Sequence, residues 1–197
     1  LALRKRLRQR DWFAAQKIPE PNLAQFLDLV ALGTVADVVP LSYTNRTLVQ
    51  QGLLRIRAGK CCEGIRALVQ ICKKELPRLT AQDFGFQLGP RINAAGRLLD
   101  MSHGIECLLT DDPALAQVYA QELDDMNRER KSIETGMQSS ALANIQLANW
   151  HTDDELPWSL CLYDSSWHQG VIGVLAGRLK EKFHRPAIVF ADASENE

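Results

Sequence analysis

At 197 residues, 46% hydrophobic and 24% charged, with a formal net charge of −1, the chain has the composition of an ordinary globular protein and the length for one sizeable core or two small ones. No apolar run approaches the roughly 20 residues of a membrane span, no signal-peptide pattern opens the chain, and there is no global basic field of the kind that advertises nucleic acid. Five cysteines, Cys61, Cys62, Cys72, Cys107 and Cys161, form an odd set without Cys-x-x-Cys spacing, which argues against a disulfide framework and a zinc site and fits a reducing cytoplasm.

Residues 1 to 17 read as the end of a basic amphipathic helix with Leu1, Leu3, Leu7, Trp12 and Phe13 on its apolar side, broken by Pro19 and Pro21. Its Arg4, Lys5, Arg6, Arg8 and Arg10 suit either a solvated helix end or a phosphate-binding patch. Leu1-Ala-Leu resembles the middle of a helix and Pro186 to Phe190 a strand with little chain after it, so a segment of a larger protein is expected. Asn22 is placed to cap a helix carrying Leu23, Phe26, Leu27 and Val30, which Gly33 and Thr34 are expected to interrupt.

That interruption delivers Asp37, a carboxylate flanked by Val35, Ala36, Val38 and Val39 with no nearby cation in sequence. Held in such an apolar niche, it requires a partner. Two readings stay open: a helix cap or buried carboxylate bonded to backbone amides, and a ligand for a hard divalent metal. Thr44 or Asn45 can cap the following helix, with Leu48, Val49, Leu53, Leu54 and Ile56 inward and Gly59 at its end. Arg46, in the first turn, opposes the helix macrodipole and so suggests an anionic partner, either Asp37 or a phosphate, an exposed Arg with no role being the other reading.

A helix over Gly64 to Lys74 follows, and Thr80 with Asp83 forms a capping box for a short helix to Leu88. In Gly89-Pro-Arg-Ile-Asn-Ala-Ala-Gly-Arg-Leu98, small residues permit close backbone approach while Arg91, Asn93 and Arg97 supply donors suited to a phosphodiester. The competing reading is a tightly packed helix whose arginines pair with Asp83 or Asp100. His103, without companions at ligand spacing, reads as a helix-end or surface residue.

Asp112 as N-cap and Pro113 at the first helical position open a long helix to about Trp150, with a stripe of Leu115, Tyr119, Leu123, Met126, Ile133, Met137, Ala141 and Ile145. At 1.5 Å per residue it spans roughly 50 Å and reads as a connector between two bodies, with coiled-coil dimerisation, against which Arg130 breaks the stripe, as the rival. Its charged middle, Glu122 to Glu134, reads as a solvated face, and Gly136 as a weak point. After a polar linker, His151 to Glu155, a βαβ pattern is expected: strand Trp158 to Tyr163, helix Gly170 to Phe183, and a parallel strand Ala187 to Phe190. Free amides at that helix N-terminus, with His168, would make an anion site, and tight packing alone is the other reading.

Three separated stretches, Gly-Thr-Val-Ala-Asp-Val-Val-Pro-Leu with Asn45-Arg46, Gly-Pro-Arg-Ile-Asn-Ala-Ala-Gly-Arg-Leu, and Trp-His-Gln-Gly-Val-Ile-Gly, resemble in order the DHH phosphoesterase superfamily and its RecJ-like single-strand exonucleases. The Asp-His-His motif and the earlier Asp motifs are not in this chain. The resemblance implies an α/β fold: the mostly helical C-terminal part of a DHH domain over 1–110, a connecting helix over 111–150, and the truncated start of a DHHA1 domain over 151–197. It implies 5′ to 3′ hydrolysis of single-stranded DNA by a two-metal mechanism with Mn²⁺ or Mg²⁺, most ligands lying outside this chain, and, as partners, single-strand-binding protein and a RecQ-type helicase. Carried over by motif, Asp37 is the metal ligand and catalytic residue, and Arg46, Arg91, Asn93, Arg97, His168, Gly170 and Gly173 bind substrate. With one strong ligand, these residues alone are expected to lack nuclease activity. The alternatives are a sister phosphodiesterase acting on short oligonucleotides, cyclic dinucleotides or pyrophosphate, and a non-catalytic DNA-binding replication scaffold.

Overall fold

The structure, a computed structural model, describes residues 1–147 and 157–193. The expected linker His151 to Glu155 and the last residues of the long helix lie outside them. Contacts group the chain into two compact units, Leu1–Pro90 with Leu108–Gln117, and Arg91–Cys107 with Val118–Glu197. No helix among the described residues is long and apolar enough to cross a membrane.

In the first unit the basic N-terminal stretch is two helices, α1 (Ala2–Gln9) and α2 (Trp12–Ala15), separated where Asp11 takes a left-handed conformation at φ 48°. Arg4 and Arg8 both reach Glu20, which offsets part of the basic cluster. Asn22 accepts a hydrogen bond from the Ala24 amide at 3.1 Å, but the turn it opens, Leu23–Phe26, is 3₁₀ and leads into α3 (Leu27–Ala36).

The expected interruption at Gly33 and Thr34 does not occur. The Thr34 hydroxyl donates to the Val30 carbonyl at 2.6 Å, so its polar group is satisfied inside the helix and α3 continues to Ala36. The next helix, α4 (Tyr43–Arg57), is capped by Ser42 rather than by Thr44 or Asn45, the Ser42 hydroxyl accepting from the Asn45 amide at 3.3 Å. Gly59, at φ 73°, follows its end as expected.

Helix α5 (Glu63–Ile71) buries Ile65, Leu68 and Val69, and its start is held by Asp28 of α3, whose carboxylate accepts from the Cys62 amide at 2.9 Å. The Thr80–Asp83 capping box forms and opens α6 (Ala81–Asp83), which widens into a π-turn over Phe84–Leu88. Phe84 and Leu88 complete this core with Ala31, Leu32, Leu53 and Ile56.

Two further helices pass from one unit to the other, α7 (Gly89–Leu98) and α8 (Ser102–Leu109). The long helix α9 (Pro113–Leu147) begins as expected, the Asp112 carboxylate accepting from the Ala114 and Leu115 amides at 2.8 and 3.3 Å. Its inward stripe departs from expectation at the N-terminal end: Ala116 and Ala120 are fully buried while Leu115 is 42% exposed. Burial at that end thus falls on small side chains rather than on the largest apolar ones. The charged middle is not simply solvated either, since Asp124, Asn127 and Glu134 are buried. Gly136 lies within the uninterrupted helix.

In the second unit β1 (Leu160–Tyr163) and β2 (Ala187–Phe190) pair in parallel, Leu160 opposite Ala187 and Tyr163 opposite Phe190, joined through α10 (Ile172–Phe183). The first strand starts two residues later than expected, leaving Trp158 exposed. Leu160, Leu162, Val189, Trp167, Val171, Leu175 and Leu179 pack with Met137, Ala141 and Ile145 of α9 into one core. Helices with a small parallel sheet make the described chain α/β, as the sequence implied.

Candidate active site

Asp37 is the C-cap of α3, and it is exposed. The apolar niche expected from its neighbours is not there: Val38 is 86% exposed and Val39 39%. The reason is helix termination. The Val38 amide donates to the Val35 carbonyl at 3.2 Å and the Val39 amide to the Thr34 carbonyl at 3.1 Å, the pair of bonds of a Schellman motif. That motif requires a left-handed residue after the cap, and Val38 fills it at φ 54°, a strained setting for a β-branched side chain. The chain thus turns outward at Asp37, carrying a carboxylate at the electronegative end of a helix, where nothing in the helix stabilises it.

The two residues that close this motif act on its backbone. The Asn45 amide nitrogen donates to the Pro40 carbonyl at 2.8 Å, and Arg46 Nε donates to the Leu41 carbonyl at 2.9 Å. Arg46 therefore answers its misplacement at a helix N-terminus by turning back to a carbonyl. No ion pair joins it to Asp37 among the described residues. On the other side, a Cβ at Gly89 would lie 3.0 Å from Ala36 Cβ and 2.9 Å from the Phe84 carbonyl, so only glycine lets the chain pass this close to the end of α3. The Gly89 amide reaches back to the Phe84 carbonyl, closing the π-turn that precedes Pro90.

Along α7 the donors divide. Arg91 turns inward, its Nε donating at 2.8 Å to Asp124, a carboxylate other than the two the sequence offered, with the side chain 14% exposed. Ala94 and Ala95 are fully buried, while Asn93 and Arg97 lie on the exposed side. An Arg97 terminal nitrogen donates to the Gly170 carbonyl at 3.3 Å. A Cβ at Gly170 would stand 1.9 Å from the Arg97 carbonyl oxygen, so the turn before α10 is pressed against the end of α7.

His168 Nδ1 accepts the Gly170 amide at 3.1 Å. That bond assigns the neutral ring's hydrogen to Nε2, which is left as a donor. Helix α10 follows Val171, an N-cap that makes no side-chain capping bond, and Gly173 is exposed in its first turn. Uncapped amides, one imidazole N–H and one guanidinium make a surface able to take an anion. The loop is braced by Asp164, whose carboxylate accepts from the Ser166 hydroxyl and amide at 2.6 and 2.9 Å, bonds that hold its pKa below the ordinary carboxylate range.

The structure thus brings Arg97, His168 and Gly170 together, keeps Gly173 on the same turn-and-helix start, and commits Arg91 to a buried ion pair. Asp37 and Arg46 belong to the first unit. Among the described residues no group of three or more His, Cys, Asp or Glu is gathered as a metal site would require. Missed by sequence reasoning were the buried carboxylates Asp28, Asp124 and Glu134. The signal for the last two was present in the four-residue spacings Asp124–Arg128 and Arg130–Glu134, which the structure fills with ion pairs.

No family model matches the sequence. Over 195 residues, 99% of the chain, it is 54% identical to the single-stranded-DNA-specific exonuclease RecJ of Escherichia coli (strain K12), and over 165 residues 33% identical to that of Bacillus subtilis (strain 168). It spans 34% of the former and 20% of the latter, so the chain covers about a third or less of these relatives. A crystal structure of RecJ from Thermus thermophilus in complex with Mg²⁺ superposes with a TM-score of 0.76 at 34% identity, over 91% of this chain and 27% of that one. A manganese-bound exonuclease RecJ superposes at 0.73 and 34% identity, over 91% of this chain and 43% of that one.

Proposed function

We propose a function from a family premise: over the part of their length that it spans, the chain belongs to the RecJ single-stranded-DNA-specific exonucleases. On this reading it is a segment of a metal-dependent 5′ to 3′ exonuclease of DNA repair and recombination. Residues 1–110 would be the back of the DHH domain, α9 the connecting helix, and the βαβ unit the start of DHHA1. Single-strand-binding protein and a RecQ-type helicase come with the same reading as partners.

The observation that carries it is the meeting of Arg97 with Gly170, 73 residues apart, at 3.3 Å. Two stretches unrelated in sequence position converge on one surface of donors, Arg97, His168 Nε2 and the amides opening α10, as the grip on a DNA backbone requires. Asn93, exposed one turn before Arg97, adds an amide that can fix register.

Asp37 fits a divalent ion as a hard oxygen donor that is exposed rather than consumed by the fold, and on this reading it is one ligand among several. Mn²⁺ or Mg²⁺ held there would supply an activated water and neutralise charge developing on the phosphate. The chain's own contribution is placement: the Schellman turn presents Asp37, Asn45 and Arg46 fix the loop behind it, and Gly89 lets the π-turn close against the end of α3.

Titrating the chain with a fluorescent single-stranded oligonucleotide tests the substrate half of the reading. Binding that weakens with salt, and that Arg97→Ala weakens further with a salt slope lower by about 0.7, is expected for one lost phosphate contact. A wild-type chain that does not bind, or an Arg97→Ala variant indistinguishable from it, sinks the assignment.

A further inference from the structure

We infer that Asp124 and Glu134 of α9 are positioning residues, two buried carboxylates that set α7 and α10 so that Arg97 meets Gly170 and His168. The inference rests on the proposed role of that surface in binding DNA.

Both carboxylates are buried in the most charged part of the chain, Asp124 at 2% and Glu134 at 9% exposure. Each is built the same way. Asp124 takes one guanidinium from its own helix, Arg128, and one from α7, Arg91 Nε at 2.8 Å. Glu134 takes Arg130 from its own helix at 2.8 Å and Arg178 Nε of α10 at 3.0 Å. Buried Asn127 joins the second set by accepting from Arg130 at 3.3 Å. In each case an arginine one turn away on α9 offsets part of the buried charge, and the remaining oxygen forms a strut to another helix.

Ten residues on an α-helix advance about 15 Å and leave the two side chains about 80° apart around the axis, so α9 can face a different helix with each. The struts land on the two helices that matter for the surface: Arg91 lies six residues before Arg97, and Arg178 eight residues after Gly170. Simple stability is a poor account of them, because a buried ion pair is commonly no better for stability than apolar residues of the same volume. Direction is what it adds: a guanidinium donates along fixed lines, and a carboxylate with one oxygen already taken accepts from few directions. The tolerance at the far end is small, since there is no room for even a methyl group between Gly170 and Arg97. A slip of either helix by a fraction of an ångström would separate the donors that the surface needs to hold in register.

Asp124→Asn and Glu134→Gln keep shape and remove the charge, and the double variant Arg91→Met with Asp124→Leu removes one strut while keeping the site filled, should a single variant fail to fold. Each is read by thermal melting and by affinity for a single-stranded oligothymidylate over a range of salt. Folded variants that bind about tenfold more weakly, with a salt slope lower by about 0.7, support positioning, because a loss of stability alone leaves the slope of the folded fraction unchanged. Wild-type affinity and slope in the folded variants overturn the inference and leave the DNA-binding reading standing. A wild-type chain without affinity for the oligonucleotide removes that reading and this inference together.

Discussion

Asp37 and Asp124 invert what their surroundings in sequence suggest. Asp37 sits among valines and is exposed; Asp124 sits among glutamates, aspartates and arginines and is buried at 2%. Burial is decided by where the backbone carries a residue. The Schellman turn throws Asp37 outward with its apolar neighbours, whereas α9 rolls one edge of its charged middle into the unit and needs partners there. An exposed carboxylate held by a strained turn has no structural need of its own and is available for a ligand. A buried one with two arginines is already committed to the fold.

Substituting each aspartate should separate these two roles. On the proposed function, in a longer chain that carries these residues within the full RecJ length, Asp37→Ala is expected to lower Mn²⁺-dependent release of nucleotides from single-stranded DNA by about a thousandfold or more. It should leave the chain as stable, or more so by about 0.3–0.5 kcal/mol, because it removes a negative charge from a helix C-terminus. Retained activity would dissolve the metal assignment. Asp124→Ala is expected to do the reverse, lowering unfolding stability by about 3–5 kcal/mol in urea titrations because it breaks the ion pairs of a buried carboxylate with Arg91 and Arg128. A loss below about 1 kcal/mol would mean that the site relaxes and the contrast between the two aspartates is not one of burial.

Gly170 and Val38 extend the comparison to the backbone, one at a contact too close for a side chain and one at a turn unsuited to the side chain it has. Gly170→Ala should destabilise by about 2–3 kcal/mol, since the new Cβ meets backbone and the neighbour cannot yield as a flexible side chain could. Val38→Gly should stabilise by about 1 kcal/mol by relieving the left-handed strain, as a rise in melting temperature. No gain there would mean that the turn is held by contacts that prefer valine.

Much of this was legible in the residues. The Asp112–Pro113 start of α9, the Thr80–Asp83 box, Gly59 and the parallel βαβ unit follow from local rules of capping and periodicity, which act within a few residues. The placement of Asp37, the Ser42 cap and the partner of Arg91 were not legible. Each depends on a choice between near-equivalent local options, such as whether Thr34 breaks a helix or bonds back into it, or on a contact over 33 residues. At the candidate site, Arg97, His168 and Gly170 could be nominated from their motifs, but their meeting across 73 residues could not be derived from spacing.

Asp83 gives the smallest and finest test, because it is an aspartate whose burial and bonding act in opposite directions. Burial raises its pKa, but the Thr80 hydroxyl, the Lys74 ammonium and the Thr80 amide together outweigh it, and the folded value lies below the ordinary 3.8. A carboxyl depressed by folding contributes stability that is complete above its unfolded value and is lost as pH falls through the folded one. Between about pH 5 and pH 2, therefore, the urea midpoint of the wild-type chain should fall more steeply than that of Asp83→Asn, and the two should converge at the acid end. Parallel curves would mean that the capping box persists with a protonated carboxyl. The anchor of the short helix before α7 would then be the neutral hydrogen bond to the Thr80 hydroxyl rather than the charge shared with Lys74.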